Sequence, residues 1–412
     1  MNRQRVVITG MGTVNPLGNN INDFWINSLK GKSGVINISH LFFIPEHMSQ
    51  IAGVTKIPFL NDKKQNRNQI FADMAANEAL NNSLLLDSTF DPEECGVLIS
   101  TAIAEINMME STFDSYKQGK GYIDFIPKNQ PFHAHQFFFN HIASKIAEDY
   151  GLKGSTVTIA TGCTGGNDAI GYAMHMIRSG RLKVALTGSV EAPITPLVVA
   201  AFDKIGATSK RNKNPDKASR PFDLDRDGFV LSEGAAILVL ENFEHAKQRG
   251  APILAEIVGM GSVNNFYHMT DIPQDGQSLA KACEFALKDA RISADDINFI
   301  NTHGSSTPQN DIAESNAFYS VFKERAKQIP VTSIKSQLGH ALSAANSIEI
   351  ISSVLSIQHQ IVSPTLNLEN QDPKCPINVI HGDPFETGID TVLKTSSGFS
   401  GIHTCLILKK AI

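Results

Sequence analysis

The segment TIATGCTGGNDAIGYAMHMI, from Thr158 to Ile177, joins a short apolar run to a pattern typical of an amphipathic helix. The run from Val157 to Ala160 predicts a β-strand. Four apolar residues then repeat at the spacing of one buried helix face: Ile170, Ala173, Met174 and Ile177. A strand followed directly by a helix is the basic unit of an α/β fold.

One of only five cysteines in the chain, Cys163, lies at this strand-to-helix corner between Gly162 and Gly165. Unpaired amide groups and the dipole at a helix start favour an anion, so the corner predicts a lowered pKa for the thiol. The same amides could stabilise the oxyanion of an acyl transfer, and the glycines would allow a sharp turn and close approach of a substrate. A small buried cysteine that serves only packing is an equally good interpretation.

Short β-branched runs recur on both sides of this corner, five before residue 250 and five after it. They are Val6–Thr9, Val97–Ser100, Val157–Ala160, Val184–Thr187, Ala236–Val239, Ile253–Val258, Ile297–Ile300, Val331–Ile334, Thr391–Thr395 and Thr404–Leu408. Strands that alternate with helices predict parallel sheets covered by helices. Two sets of five predict a duplicated unit, with a first half of residues 1–250 and a second half of residues 251–412.

Composition excludes several classes of protein. The 412 residues carry a formal net charge of -5, which argues against a general nucleic-acid binder. The five cysteines are scattered without a CxxC pair, which argues against a disulfide framework or a zinc site and for a reducing compartment. The first residues lack the apolar core of a signal peptide, and no apolar run approaches the ~18 residues of a membrane span. The sequence therefore predicts a cytoplasmic protein.

Two motif matches fail on spacing. VVITGMGTVNPLG, residues 6–18, has its third glycine too late for the dinucleotide-binding pattern GxGxxG, so a tight strand-to-loop turn is predicted instead. DLDRDGFVLSEG, residues 223–234, begins like a calcium-binding loop, but Glu233 lies one position before the required glutamate. A buried turn held by carboxylate hydrogen bonds is predicted there.

Two histidines follow strand-like runs in the second half. His303 ends the run before GSSTPQND, and His340 follows Lys335 by five residues. Polar side chains just after strands are where α/β folds place catalytic groups. His340 also opens a helical pattern that includes Ala344, Ala345, Ile348, Ile351 and Leu355. This helix would be the second-half counterpart of the helix after Cys163, and the two helix starts would face each other.

Six ordered segments resemble the β-ketoacyl-acyl-carrier-protein synthases, condensing enzymes of the thiolase fold. They are VVITGMGTVNPLG, TIATGCTGG, ASRPFDLDRDGFVLSEGAA, NTHGSSTPQND, SIKSQLGHALSAANSIE and SSGFSGIHT. The resemblance covers essentially the whole chain. It implies an α/β, duplicated, five-layered αβαβα core and a dimer. It also implies a condensation that needs no cofactor and no metal.

The resemblance assigns roles residue by residue. Cys163 would accept an acyl chain from the phosphopantetheine arm of an acyl carrier protein, and its N–H and that of Phe399 would bind the oxyanion. His303 and His340 would donate hydrogen bonds to the malonyl thioester oxygen as CO2 leaves. Lys335 would orient the histidines, and Glu349 matches a family acid. Phe399 also matches a gate between the acyl and malonyl steps.

The pattern within the family favours polyketide or polyene synthesis over fatty-acid elongation. Gly162 replaces the alanine usual in fatty-acid enzymes, and Gln309-Asn310-Asp311 resembles the ketosynthase-α subunits of type II polyketide systems. Ser397, Ser400 and His403 replace the usual Phe, Gly and Asn of the terminal loop. The alternative is a housekeeping 3-oxoacyl-acyl-carrier-protein synthase II. A catalytically inactive chain-length factor and a thiolase-like acyl-CoA enzyme are further alternatives, which the intact cysteine and histidine pair disfavour.

The resemblance also predicts two interaction surfaces. Basic residues would bind the acidic carrier protein: Lys63, Lys64, Arg67, Lys204, Lys210 and Arg211. An ordinary solvated charged face is the alternative. The apolar segment Phe137-Phe138-Phe139 would contribute to a large interface with a homologous chain-length factor, or would pack within one subunit. Pairing with that factor is predicted over a homodimer.

Overall fold

The computed structural model describes residues 3–59, 66–117 and 137–411. Its strands are β1 (Val6–Val14), β2 (Val35–Asn37), β3 (Ile51–Gly53), β4 (Cys95–Ser100), β5 (Thr156–Ile159), β6 (Val184–Glu191), β7 (Leu231–Ser232), β8 (Gly234–Asn242), β9 (Ala255–Asn264), β10 (Phe299–Asn301), β11 (Val331–Thr332), β12 (Ile361–Val362), β13 (Phe385–Glu386), β14 (Thr391–Ser397) and β15 (Ile402–Lys409). Each of the ten predicted β-branched runs overlaps one of these strands.

Helices alternate with the strands. They are α1 (Ile21–Leu29), α2 (Arg67–Ser83), α3 (Ile106–Lys117), α4 (His141–Asp149), α5 (Gly165–Arg178), α6 (Pro196–Lys204), α7 (Phe243–Gln248), α8 (Gln277–Ala290), α9 (Pro308–Phe322), α10 (Lys335–Leu338) and α11 (Ser343–His359). The predicted apolar face of α5 is fully buried, which confirms the helix after Cys163. None of the helices in the described ranges is long and apolar enough to cross a bilayer.

Ten strands form one sheet in the order β11-β10-β14-β15-β9-β1-β8-β6-β4-β5. Read outwards from the centre, where β1 meets β9, the two halves have the same strand order. The prediction of parallel sheets is right only for the outer strands, because β1–β8–β6 and β9–β15–β14 pair antiparallel. The connection between β14 and β15 is a short turn, and a short turn can join only antiparallel strands. The domain boundary at residue 250 stays a prediction.

The helices form three layers around the two sheet halves. α5 and α11 lie between the halves and share one core cluster with Leu98 of the first half and Leu406 of the second. The neighbouring strand residues point to the opposite faces, where α2 and α4 cover Val97 and α8 and α9 cover Ile407. The predicted five-layered αβαβα architecture is confirmed.

Gly10 and Gly12 of the opening motif lie inside β1, and the predicted strand-to-loop turn comes only after them. A β-carbon on Gly10 would lie 2.1 Å from the carbonyl oxygen of Ala79, and one on Gly12 would lie 2.1 Å from that of Ala75. These glycines therefore let α2 pack directly on the strand. The chain turns only at residues 15–18, where Asn15 and Gly18 exchange backbone hydrogen bonds.

The second half repeats this contact. A β-carbon on Gly261 would lie 2.0 Å from the carbonyl oxygen of Ala282 on α8, and one on Gly259 would lie 2.4 Å from that of Ala286. The segments ITGMGTV, residues 8–14, and IVGMGSV, residues 257–263, are thus an internal sequence repeat in equivalent strands. Close packing of a helix on a strand explains why both copies keep two glycines.

The apparent calcium-binding segment is a buried turn, as predicted. Asp223 is fully buried and accepts hydrogen bonds from Arg220 Nε and from the backbone N–H groups of Asp225, Glu369 and Asn370, all at 2.9 Å. Its oxygens are therefore occupied by hydrogen-bond donors. Within residues 3–59, 66–117 and 137–411, no cluster of His, Cys, Asp and Glu has the arrangement of a metal site.

Candidate active site

Cys163 lies in a one-turn 3-10 helix, Gly162–Thr164, between β5 and α5. Gly162 has φ +64°, the left-handed conformation that favours glycine. A β-carbon on Gly165 would lie 2.0 Å from Ser100 Oγ, and one on Gly166 would lie 2.7 Å from the carbonyl oxygen of Ser343. Gly165 and Gly166 thus have a packing role, because they bring the start of α5 against β4 and α11, while space is open at Gly162 and its role in substrate approach stays a prediction.

Burial, nearby charges and backbone N–H groups all affect the pKa of the Cys163 thiol, in addition to the helix start. Burial raises its pKa to about 11, against the opposing effects of the Lys335 charge and of the backbone N–H groups of Phe399 and Cys163. The predicted lowering of the pKa is therefore wrong for this unliganded structure, because burial outweighs the dipole. The thiol keeps its proton at neutral pH and needs a base when it reacts.

The second half holds the peptide unit of the nucleophile in place. The carbonyl oxygen of Cys163 accepts hydrogen bonds from Asn346 Nδ2 on α11 and from Ser396 Oγ on β14, the latter at 3.3 Å. The predicted facing of the two helix starts is confirmed by these contacts. However, α11 begins at Ser343 rather than at His340, because Leu342 has a positive φ and interrupts the helix.

His303 and His340 form a pair beside the nucleophile. Their ring centroids are 5.2 Å apart with the rings nearly perpendicular, and His340 also lies edge-on to Phe229. Burial and the charge of Lys335 hold the pKa of both imidazoles well below the usual 6.5. Both rings are therefore neutral at pH 7, so each has one N–H to donate and one lone pair to accept.

Lys335 lies behind this pair and is fully buried. Its Nζ donates to the carbonyl oxygen of His303 at 2.7 Å and to Glu349 Oε1 at 2.5 Å. The structure therefore places both predicted residues in one ion pair that touches the histidine backbone rather than the imidazole rings. Lys335 is the first residue of the short helix α10, and Glu349 lies on α11.

Two buried charged residues at this site were missed by the sequence analysis. Glu314 on α9 accepts hydrogen bonds from the backbone N–H groups of His303 and Gly304, both at 2.7 Å, and from Thr395 Oγ1 at 2.5 Å. Lys394 on β14 lies 2.8 Å from Glu349 Oε2. The available signal was a lysine in the middle of the apolar run TVLKT, where a strand is buried on both faces.

One pocket of about 340 Å³ brings the nucleophile, the two histidines and the gate residue together, while Lys335 is not among its lining residues. Cys163, His303, His340 and Phe399 all line it. Its other walls include Phe202, Phe229, His268, Thr270, Thr307 and Ser397. The ring of Phe399 lies 6.2 Å from that of Phe202, which places it at the side of the pocket. A carbon chain bound to the thiol would therefore share one cavity with both imidazoles.

The altered residues of the terminal loop form their own hydrogen-bond link. Asn265 Nδ2 donates to His403 Nε2 at 3.1 Å, so the neutral ring carries its proton on Nδ1 and donates it to Ser397 Oγ at 2.9 Å. Burial lowers the pKa of His403 to about 4, so the ring is neutral. His403 thus connects the Phe399 loop to the loop at Asn265, a contact that the sequence did not predict.

The six basic residues predicted to bind the carrier protein separate into three groups. Lys63 and Lys64 lie outside the described residues. Arg67 does not fit a docking role, because its guanidinium is buried in a 2.6 Å ion pair with Glu233 and also donates to Thr55 Oγ1. Lys204, Lys210 and Arg211 remain at the surface.

These three surface residues lie near residues that line the pocket. Lys204 ends α6, directly before Ile205, which lines the pocket. Arg211 lies 3.6 Å from Asp227, another lining residue, and Lys210 lies 3.5 Å from Asp203. Half of the predicted basic residues therefore lie close to residues that line the pocket, and contacts with Asp203 and Asp227 partly neutralise the charge of Lys210 and Arg211.

The predicted interface segment lies beside a gap in the description, since residues 118–136 are outside the described ranges. Phe138 is 58% exposed and Phe139 is 45% exposed. These values favour an interface over packing within the subunit, because large aromatic side chains are normally buried.

Comparison with known proteins gives a consistent result. The model of the family "Beta-ketoacyl synthase, N-terminal domain" matches residues 3–246, and that of "Beta-ketoacyl synthase, C-terminal domain" matches residues 254–369. A tetracenomycin polyketide synthase ketoacyl synthase alpha subunit of Streptomyces glaucescens is 38% identical over 99% of this chain and 97% of its own. A 3-oxoacyl-[acyl-carrier-protein] synthase 2 of Vibrio harveyi is 37% identical over 100% of this chain and 99% of its own.

Solved structures agree over the full length. A type II PKS ketosynthase, solved with its acyl-carrier protein and bound to the hexaketide, is 42% identical with a TM-score of 0.93. The ishigamide ketosynthase/chain length factor is 28% identical with a TM-score of 0.90. Each match covers 100% of both chains.

Proposed function

The chain belongs to the β-ketoacyl synthase family, and from this premise we propose that it is the ketosynthase-α subunit of a type II polyketide synthase. It is a C–C bond-forming enzyme. The reaction is a decarboxylative Claisen condensation of an acyl chain with malonyl-acyl carrier protein, giving β-ketoacyl-acyl carrier protein. The observation that carries the assignment of roles is the single pocket that holds Cys163 together with two neutral histidines.

In the first step, Cys163 Sγ attacks the thioester of an acyl-carrier protein. The sulfur–carbon bond forms as the thiol proton leaves, and the phosphopantetheine thiol is released protonated. Because burial raises the thiol pKa to about 11, a neutral imidazole of the pair is the base that the pocket offers. The N–H groups of Cys163 and Phe399 both lie against the sulfur and would stabilise the tetrahedral oxyanion.

In the second step, malonyl-carrier protein loses CO2, and the electron pair of the broken C–C bond becomes an enolate on the thioester. An N–H donated by each neutral ring of His303 and His340 would stabilise the enolate oxygen. The enolate carbon then attacks the acyl-Cys163 thioester, and the cysteine sulfur leaves to be reprotonated. Loss of CO2 supplies the carbanion, so the proposed reaction needs no cofactor and no metal.

The housekeeping fatty-acid elongation enzyme is the second candidate, since a 3-oxoacyl-[acyl-carrier-protein] synthase 2 is nearly as similar. The terminal loop favours polyketide synthesis. Ser397 replaces a phenylalanine of the fatty-acid enzymes and lines the pocket, and its hydroxyl, hydrogen-bonded to His403 behind it, gives that part of the wall a polar group. A growing polyketide carries carbonyl groups that a polar wall suits better than a saturated chain does.

Two partners follow from the proposal. An acyl carrier protein would dock beside the pocket mouth at Lys204, Lys210 and Arg211. A homologous chain-length factor would pair with the open edge of β5, which hydrogen-bonds only to β4 among the described strands. The exposed Phe138 and Phe139 would extend that interface. The net charge of -5 does not favour nucleic acid as a partner, and the free cysteines suit a cytoplasmic location.

Product analysis tests the proposal. The chain is expressed alone and with its candidate partner, and each preparation is given acyl-carrier and malonyl-carrier protein. We expect a heterodimer that makes polyketide or polyene chains. A homodimer that elongates saturated acyl chains, and gains nothing from the partner, would instead establish the fatty-acid assignment.

A further inference from the structure

A fully buried lysine on β14 lies behind the histidine pair. The side chain of Lys394 has no exposed surface, and its Nζ lies 2.8 Å from Glu349 Oε2. Lys335 Nζ lies 2.5 Å from the other oxygen of the same carboxylate. Glu349 therefore bridges two buried ammonium groups, and one of the two cations is in excess of what this carboxylate can balance.

Lys394 also donates to two backbone carbonyl groups near His303. Its Nζ donates to the carbonyl oxygen of Thr302, the residue before His303, at 3.4 Å, and to that of Thr395. Thr395 Oγ1 in turn donates to Glu314, which accepts the N–H of His303. The ionisable groups facing the cluster are Lys335, Glu349, Glu314, His303, His340, His403 and Cys405.

A structural role alone does not account for this arrangement. Burying a second ammonium beside an existing ion pair is costly, whereas an apolar side chain of similar volume would fill the same space without that cost. Burial and the nearby Lys335 charge lower the pKa of Lys394, while Glu349 opposes the lowering. The charge of Lys394 also lowers the pKa of both His303 and His340.

We propose that Lys394 is a positioning residue for malonyl decarboxylation: it shares Glu349 with Lys335 and places a second buried cation behind His303 and His340. This cation adds to the burial and the Lys335 charge that keep both rings neutral, and it favours the negative charge that builds on the thioester oxygen as CO2 leaves. Lys394 touches no substrate and acts through the histidines and their backbone. The inference rests on the proposed function, because it assigns the decarboxylation step to the histidine pair.

The test compares Lys394→Met with Leu393→Met, a volume-conserving control on the same buried strand. CO2 release from malonyl-carrier protein should fall about 10-fold in Lys394→Met, which corresponds to about 1.4 kcal/mol. Acylation of Cys163 should stay within about 2-fold of wild type. Imidazole NMR should show the pKa of His303 and His340 rising towards the ordinary value, because a neighbouring cation is gone. Leu393→Met should change none of these.

Lys394→Arg keeps the charge and should leave the imidazole titrations unchanged. If Lys394→Met does not fold, Lys394→Gln takes its place in the same measurements. Unchanged imidazole titration, or CO2 release and acylation falling by the same factor, would overturn the inference. A wild-type protein that releases no CO2 would instead refute the proposed function, and the imidazole titration would still test the effect of Lys394.

Discussion

Strands β6 and β14 occupy equivalent places in the two halves of the sheet, yet they carry different buried ionisable residues, an acid on β6 and a lysine on β14. β6 ends at Glu191, which is fully buried and accepts a 2.6 Å hydrogen bond from Ser343 Oγ. β14 carries Lys394 and leads into the loop of Phe399. Likewise, Glu105 follows β4, while His303 follows its counterpart β10. Duplication preserved the scaffold, and each half acquired its own chemistry at the strand ends.

The sheet edges differ in the same way. β11 in the second half is covered, because Val331 exchanges hydrogen bonds with the backbone of Asn378 and Ile380. β5 in the first half has no such cover among the described residues. An open strand edge next to the nucleophile is where a second subunit can pair. The first half thus carries the nucleophile and the open edge, and the second half carries the groups for decarboxylation.

The largest expected effect concerns the nucleophile in the first half. Cys163→Ala should abolish the covalent acyl adduct that intact-mass analysis detects with an acyl-carrier donor, because the other four cysteines, all within the described residues, are buried away from the pocket lining. Cys95→Ala, a buried cysteine on β4, is the matched control and should acylate normally. An adduct that persists in Cys163→Ala would move the nucleophile elsewhere.

The next largest effect concerns the two histidines in the second half. His303→Ala and His340→Ala should each lower CO2 release from malonyl-carrier protein by about 100-fold, as expected for the loss of an oxyanion donor. His175→Ala changes an exposed histidine on α5 and should have no effect. Wild-type rates of CO2 release in both pocket variants would remove the histidines from this step.

A smaller effect tests the buried acid of the first half. Burial raises the pKa of Glu191 to about 8, so the folded protein holds a proton there that the unfolded chain releases near pH 4.5. Wild-type stability should therefore fall as pH rises from about 5 to 8. Glu191→Gln does not titrate, and its free energy of unfolding relative to wild type should improve by about 1 kcal/mol or more across this window.

Chemical denaturation at pH 5 and pH 8.5 measures this difference. Glu244→Gln, an exposed acid of the same half, serves as the control and should show no pH-dependent gain. A Glu191→Gln variant whose relative stability is the same at both pH values would mean that Glu191 is ionised throughout.

The smallest effect concerns docking. Lys210→Glu or Arg211→Glu should raise the KM for carrier protein about 5-fold and leave kcat nearly unchanged, because these side chains lie beside the pocket rather than in it. Added salt should weaken carrier binding to the wild type in the same way. Lys288→Glu reverses an exposed charge in the second half and should not change KM. Equal KM values in all three variants would remove this surface from docking.

The sequence predicted the duplicated fold and the nucleophile corner because both depend on local patterns. β-branched runs and helical periodicity determine strands and helices over a few residues. The antiparallel centre of the sheet was missed, because strand direction depends on how the connections return rather than on the runs themselves. The repeat of ITGMGTV and IVGMGSV is present in the sequence. Its significance becomes evident only in the structure, where a helix packs directly on the glycine pair of each segment.

The electrostatics of the site could not be predicted in the same way. A helix start predicts a low pKa for Cys163. The depth of burial decides whether this pKa is raised or lowered, and it depends on the packing of both halves. Arg67 has the same charge as Lys204, and only the fold reveals that Glu233 holds it inside. Glu314 and Lys394 come from separate elements, so their meeting around His303 depends on the tertiary structure.

The central claim is that the first half supplies the nucleophile and the second half performs the decarboxylation. Its most direct test is the rate of CO2 release by Cys163→Ala. If the second half performs decarboxylation with His303 and His340, this variant should release CO2 from malonyl-carrier protein within about 10-fold of the wild-type rate while forming no acyl adduct. A variant that loses both the acyl adduct and CO2 release would contradict the account, because the nucleophile would then be required for both steps.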